Sequence, residues 1–236
     1  MAGETTKARA ICINIHPYSR TSHIVNWLTE SKIISTLVKG AVRPKSQFLG
    51  QYDLNYLCEI VYYSSTKSEL HPLKECLPIE TRDFLRESYK SLALASYFRA
   101  VTDRMCPYGN EARNYFELLG NFLDSLKDAT DTANYIELML RFDLSVLKLS
   151  GIEPDFRYLE KNSETSLFSV EYGRFNAGGR SIRVSKCTAD YLKRGAVGEK
   201  KYNFLLEAVR IIGVYYSFHV DLPAQLRRIT LDMISK

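Results

Sequence analysis

Residues 8–15 read Ala8-Arg9-Ala10-Ile11-Cys12-Ile13-Asn14-Ile15, and this stretch decides how the fold begins. Apolar residues recur with a period of two, which predicts a β-strand with Ile11, Ile13 and Ile15 on one face. Residues 22–29 are rich in β-forming side chains. Residues 32–38 follow after a short polar break that predicts a hairpin turn. Residues 53–63 are the longest strand candidate, apolar and aromatic on both faces. Residues 70–76 are shorter, with Pro72 marking an edge or a bulge. Five short strands at this spacing predict a small barrel over residues 1–80. Between the third and fourth lies a basic loop, Lys39-Gly40-Ala41-Val42-Arg43-Pro44-Lys45-Ser46-Gln47.

The pattern changes near Pro78. Thr81 is placed to cap a helix, with Asp83 in its first turn. Helical spacing then runs through Leu85, Tyr89, Leu92, Tyr97, Val101 and Met105 and stops at Cys106-Pro107. A second helix carries Tyr115, Phe116, Leu119, Phe122, Leu123 and Leu126. A third runs from about Thr132 to Ser150, where Gly151 suits the position after the cap and Pro154 prevents continuation. Residues 167–170 and 181–184 predict two short strands around the turn Asn176-Ala177-Gly178-Gly179. Two more helices are predicted over residues 200–219 and 223–234. The class is therefore α+β: a barrel over 1–80, then a helical domain over 81–236 interrupted at about 155–186 by a small hairpin.

Composition excludes several classes. The chain has 236 residues, 45% hydrophobic and 25% charged, with a net charge of +5. It is neither disordered nor collagen-like, and it is long enough to fold without covalent staples. The charge is uneven. Residues 1–50 hold seven basic and two acidic side chains, residues 81–155 nine and twelve, and residues 156–236 fourteen and eight. Such asymmetry suggests surfaces with different partners, or clustering on solvated faces. The cysteines at 12, 58, 76, 106 and 187 form no Cys-x-x-Cys pair, and the segment MAGETTKARA has no signal-peptide apolar region. A reducing cytoplasmic location with no membrane span is expected.

Motifs of catalysis are missing. The histidines at 16, 23, 71 and 219 make no His-Glu-x-x-His, and no phosphate-cradling glycine loop or nucleophile elbow is found. Asp83 with Glu87, and Glu137 with Asp143, are better explained as solvated helix faces than as carboxylate pairs. Cys106 and Cys187 read as buried small hydrophobes. No catalytic residue is nominated and the protein is expected not to be an enzyme.

The basic loop is the positive signal. Oligonucleotide-binding barrels hold single strands with cationic loops and aromatic platforms. Lys39, Arg43 and Lys45 would neutralise phosphates, with Arg20 on the neighbouring turn and Lys32 as a weaker member; Pro44 would hold the loop extended. Tyr18, Trp27, Phe48 and Tyr52 are the nearby aromatics, and Trp27 and Phe48 fit a core position as readily as a stacking one.

These same residues carry a resemblance. His16-Pro17-Tyr18-Ser19-Arg20-Thr21-Ser22 and Lys39-Gly40-Ala41-Val42-Arg43-Pro44-Lys45-Ser46 resemble the N-terminal domain of the RecO family of bacterial recombination mediators. Residues 141–152, Arg-Phe-Asp-Leu-Ser-Val-Leu-Lys-Leu-Ser-Gly-Ile, are similar to a helix of that family, and Phe168-Ser169 with Gly178-Gly179 echoes its hairpin. The resemblance implies an oligonucleotide-binding (OB) barrel, a helical domain, and a role in DNA repair and recombination after DNA damage. Single- and double-stranded DNA binding and strand annealing are implied. So are RecR and the acidic, Phe-ended tail of single-strand-binding protein as partners, RecA as an indirect one, and a nucleoid-associated location. It also implies that the tail is taken by the helical domain, with Arg141 beside Phe142 at the matching position; on residue spacing alone Arg141 equally suits an ion pair with Glu137.

The sequence departs from the family pattern in two places. Many members carry a four-cysteine zinc knuckle, whereas residues 155–186 hold no cysteine, so no tetrahedral thiolate site is available and a hairpin held by packing alone is expected, with no metal or other cofactor. Arg20 stands where the family usually has Glu, and Val42 where a second Arg is common. The rival reading is a protein-interaction adaptor whose basic face meets acidic partners instead of DNA.

Overall fold

The computed structural model describes residues 4–64, 68–109, 111–157, 165–194, 202–220 and 222–236. Two compact units emerge: residues 1–87 with 98–124, and residues 88–97 with 125–236.

The first unit is built on a closed barrel. Strands β1 (Thr5–Ser19), β2 (Ser22–Thr29), β3 (Ile33–Val38), β4 (Leu57–Tyr63) and β5 (Leu70–Glu80) close in the order β1-β2-β3-β5-β4. All pairings are antiparallel except β3 with β5, which run parallel. This closed five-stranded arrangement is of the OB type. Ala10, Cys12, Val25, Trp27, Val38, Cys58 and Ile60 fill the interior.

The predicted common face of Ile11, Ile13 and Ile15 does not exist. Cys12 pairs with Trp27 but Asn14 pairs with Asn26, so Ile13 is an extra residue on β1. Such a bulge inverts the alternation. Ile15 consequently packs against the interior cluster with Ala8, whereas Ile11 lies beside Gly120 outside it. The fourth strand also begins later than residue 53: Asn55 adopts a left-handed φ of 71°, and regular pairing resumes at Leu57. The fifth extends past residue 76 to Glu80.

Thr81 does not cap a helix. Its hydroxyl donates to Asp83 Oδ2 at 2.7 Å, a short 3-10 turn occupies Asp83–Glu87, and helix α1 begins only at Tyr89 and runs to Met105. The interruption follows from Arg82, which is buried with φ 51°. Its guanidinium donates to Asn55 O at 2.7 Å and to Asp124 at 2.6 Å, pinning helix α2 (Ala112–Ser125) to the barrel within this unit.

In the second unit, α3 (Thr132–Leu149) starts at Asp131, whose carboxylate accepts from Asn134 N–H at 2.7 Å. It ends in the paired bonds of a glycine cap, Gly151 N to Lys148 O and Ile152 N to Leu147 O, with Gly151 at φ 72° as its type requires. The expected two-stranded hairpin is a three-stranded sheet: β6 (Thr165–Ser169) lies between β7 (Arg174–Phe175) and β8 (Ser181–Ser185). Phe156, Phe168, Phe175 and Tyr215 stack at its centre with ring centroids 5.5–6.1 Å apart.

Helix α4 (Lys186–Lys193) has no counterpart among the predicted elements. Ser185 caps it, and Glu207 of α5 (Tyr202–His219) holds the cap by accepting from the Ser185 amide and the Ser185 and Thr188 hydroxyls at 2.5–2.9 Å. Helix α6 (Ala224–Ile234) closes the unit. Cys187 is exposed, not buried as expected. No helix among the described residues is long and apolar enough to cross a membrane.

Candidate nucleic-acid interface

The basic loop is folded, not extended. Successive turns run from Lys39 to Gln51, closed by Arg43 N to Gly40 O, Ser46 N to Arg43 O and Leu49 N to Ser46 O. Pro44 therefore sits in a chain of turns, where its fixed φ is equally at home. Two side chains anchor the loop: Ala41 and Phe48 are both buried in the barrel core. Gln47 Nε2 donates to Lys74 O at 3.0 Å and ties it to β5. Between the anchors and beside them, Lys39, Arg43 and Lys45 are exposed.

The turn after β1 lies against this loop. Val42 N–H donates to Thr21 O at 3.3 Å, and Gly40 N–H to Ser22 Oγ at 3.3 Å. Arg20, exposed and adjacent to Thr21, thus joins the same rim. Gly40 has φ 66°, and a Cβ there would stand 3.2 Å from Arg43 Cδ. Glycine allows both the turn and the placement of Arg43 over it.

Lys32 is elsewhere. It sits in the β2–β3 turn, where Thr29 Oγ1 accepts from its amide at 3.1 Å and donates to its carbonyl at 2.7 Å. The length of β3 separates that turn from the basic loop, roughly 17 Å of strand. Near it a cleft of about 660 Å³ is lined by Lys7, Arg9, Thr29, Glu30, Ser31 and Arg113. Lys7 is paired with Glu59 at 2.8 Å and Arg113 with Glu117 at 3.0 Å, so its positive charge is largely balanced.

The aromatics divide equally clearly. Trp27 is core, its Nε1 donating to Thr36 Oγ1 at 2.8 Å, and Phe48 is core as the loop anchor. Tyr52 is half-buried, 2.8 Å from His23 Nδ1 through its hydroxyl, and burial drives its pKa far upward. Tyr18 is exposed at the rim.

The helical unit presents a different surface. A groove of about 530 Å³ lies along α5 and α6, with Val170, Val214 and Phe218 as apolar lining and Arg180, Arg210 and Arg228 around them. Arg227 forms part of its floor. Its guanidinium is held by Asp143, which also accepts from the Tyr97 hydroxyl at 2.6 Å. Asp143 is fully buried, so the solvated face expected for it is not what the fold makes; burial pushes its carboxyl upward against the pull of Arg227 and Tyr97.

Arg141 is exposed and does not line this groove. It stands two residues before Asp143, about 200° around α3. Its charge is felt instead by Tyr191, whose hydroxyl is pushed up to about 12 by burial and Glu137, against Arg141. The groove had no sequence signature, because its arginines come from segments far apart in the chain.

Comparison with known proteins adds the family. Residues 1–82 match the model described as Recombination protein O N terminal, and residues 86–228 the model described as Recombination protein O C terminal. A protein named DNA repair protein RecO from Clostridium kluyveri is 29% identical over 157 residues, covering 64% of this chain and 58% of that protein. A protein of the same name from Syntrophus aciditrophicus is 26% identical over 152 residues, covering 64% of this chain and 57% of that protein. The matched stretch therefore spans less than two thirds of either relative.

Proposed function

The chain belongs to the recombination protein O family, and from that premise we propose that it is a DNA-binding protein of DNA repair and recombination. The observation that carries this reading is the rim on which Arg20, Lys39, Arg43 and Lys45 stand exposed around a loop anchored by Ala41 and Phe48. Fixed cations of one sign at an OB-type rim suit a phosphate backbone and carry no base code, so binding extends to single- and double-stranded DNA of any sequence. Two complementary strands drawn to such a surface meet with their repulsion shielded, and annealing follows. The function is one of binding, and we assign no catalytic step.

The partners are proposed at the same level. Together with RecR the protein would help load RecA onto strands covered by single-strand-binding protein. The acidic, Phe-ended tail of the latter suits the helical unit, where the α5–α6 groove combines apolar lining with three rim arginines. Arg141 is a separate candidate for the tail on another face of α3. Lys32 would contribute to DNA only as an outlying cation.

The test is oligonucleotide affinity at two salt concentrations for the parent and a Lys39→Ala/Arg43→Ala/Lys45→Ala variant. Each phosphate left without its cation reduces the single-strand salt slope by about 0.7, so the triple variant should lose about 2 in slope and bind at least tenfold more weakly at low salt. Equal binding by the two proteins rejects the loop as the DNA site. If an acidic peptide, and not an oligonucleotide, occupies the rim, the adaptor reading replaces this one.

A further inference from the structure

We infer that Tyr18 is a stacking platform for an unpaired base, and that through it the barrel rim distinguishes single-stranded from double-stranded nucleic acid. The inference rests on the proposed DNA-binding role of that rim and names the ligand class it would prefer.

The placement of Tyr18 comes from a second irregularity in β1. Pro17 pairs with His23, yet Ser19 pairs with Ser22, so Tyr18 is an extra residue with no partner position on β2. A bulge of this kind re-aims the side chain it inserts. Here it leaves a large ring 59% exposed at the rim, two residues before Arg20. Bound to the same turn through Thr21 O is the loop carrying Lys39, Arg43 and Lys45.

The other three aromatics that the sequence offered near the loop are committed elsewhere. Trp27 is enclosed and donates to Thr36, and Phe48 anchors the loop. Tyr52 lies edge-on to Trp27 at 6.0 Å and is bonded to His23. Of these four rings, Tyr18 is the most exposed. Val42 and Leu49, both exposed on the loop, add apolar surface to the same rim.

The chemistry then selects the ligand. A tyrosine ring covers a flat apolar surface well, and every nucleobase has such a face, so stacking is indifferent to sequence. In a duplex those faces are already occupied by neighbouring base pairs. An unpaired base is therefore the species that Tyr18 can take, while the surrounding cations hold the phosphates on either side.

The experiment measures affinity at low salt for parent, Tyr18→Ala and Tyr18→Phe against three probes of equal length: oligothymidine, an abasic sugar–phosphate strand, and a duplex. Tyr18→Ala should bind oligothymidine about tenfold more weakly, in line with the removal of one stack, and should bind the abasic strand and the duplex like the parent. Tyr18→Phe keeps the ring and should bind all three like the parent. Unchanged oligothymidine binding by Tyr18→Ala, or an equal loss on all three probes, overturns the stacking role while leaving the cationic rim standing. A parent that binds none of the probes overturns the rim reading itself, and the stacking role with it.

Discussion

Arg227 places Nε and Nη2 on a single oxygen of Asp143, at 2.9 and 2.7 Å, by passing across Gly213. The Tyr97 hydroxyl takes the other oxygen, so a fully buried carboxylate is satisfied by two partners from two other helices. Removing one member of such a pair leaves an uncompensated charge, which costs about 3–5 kcal/mol. Asp143→Ala should lower the stability of the helical unit by that order, read from urea unfolding followed by helical circular dichroism. The double variant Asp143→Leu/Arg227→Met, which removes both charges, should recover much of the loss. If Asp143→Ala is neutral, the network contributes nothing.

Gly213 gives an independent check on the same geometry. A Cβ there would collide with Arg227 Nη1. On an open helix Gly→Ala gains about 1 kcal/mol. Here it must shift Arg227 off Asp143, and part of the buried-pair penalty of about 3–5 kcal/mol should outweigh the gain. Gly213→Ala should therefore destabilise; a more stable variant would show that Arg227 moves aside without cost.

Gly40 connects backbone conformation to binding. Its φ of 66° disfavours any side chain, and Arg43 Cδ lies close against the position a Cβ would take. Gly40→Val should cost about 1–3 kcal/mol in barrel stability. It should also weaken oligonucleotide binding severalfold by displacing Arg43. Fluorescence anisotropy at low salt measures the second effect, and thermal unfolding the first. Full binding by a folded Gly40→Val protein would mean that Arg43 need not sit where it does.

The two candidate seats for an acidic peptide give opposite outcomes. If the groove takes the tail, Arg210→Glu/Arg228→Glu should weaken a synthetic acidic peptide ending in Phe by more than about tenfold in a titration, and Arg141→Ala should not change it. The reverse pattern assigns the tail to the Arg141 face of α3. Both substitutions lie on exposed side chains, so loss of fold does not confuse the result.

Much of this fold could be read from short-range pattern, and its failures share one cause. Strands β2, β3 and β8 and helices α2, α3, α5 and α6 follow local periodicity. What the sequence hid was register and distance. Nothing in residues 8–19 announces that Ile13 and Tyr18 are extra residues, because a bulge is defined by the partner strand. Lys32 looks like a neighbour of Lys39 seven residues on, yet the intervening strand carries it to the other end of the barrel. Asp143 resembles a surface acid until Arg227, 84 residues later, reaches it. Helix α4, Lys-Cys-Thr-Ala-Asp-Tyr-Leu-Lys, buries Thr188, Ala189, Tyr191 and Leu192 on one face, but it spans only eight residues, too short for that pattern to stand out, and it depends on Ser185 and Glu207 for its start. The cationic loop was visible because its residues are contiguous; the arginine groove was not, because its residues are scattered.

His71 supplies a pH dependence whose sign is fixed by its surroundings. It is buried on β5 against the Tyr62 ring at 5.3 Å, and its Nδ1 has no hydrogen-bond partner among the described residues. Burial lowers its pKa, and the nearby charge of Lys32 lowers it further. The unfolded chain therefore binds a proton at His71 more readily than the folded one. Stability associated with neutral His71 is complete above the ordinary histidine pKa of about 6.5 and is lost progressively as the pH falls below it. Barrel stability should accordingly decline between about pH 7 and 5, before most carboxylates titrate. Urea midpoints for the parent and a His71→Gln variant across that window measure the effect. The variant should show a flatter profile even if its stability at neutral pH is lower. An equal slope in both proteins would place the proton uptake on another group and remove His71 from the account.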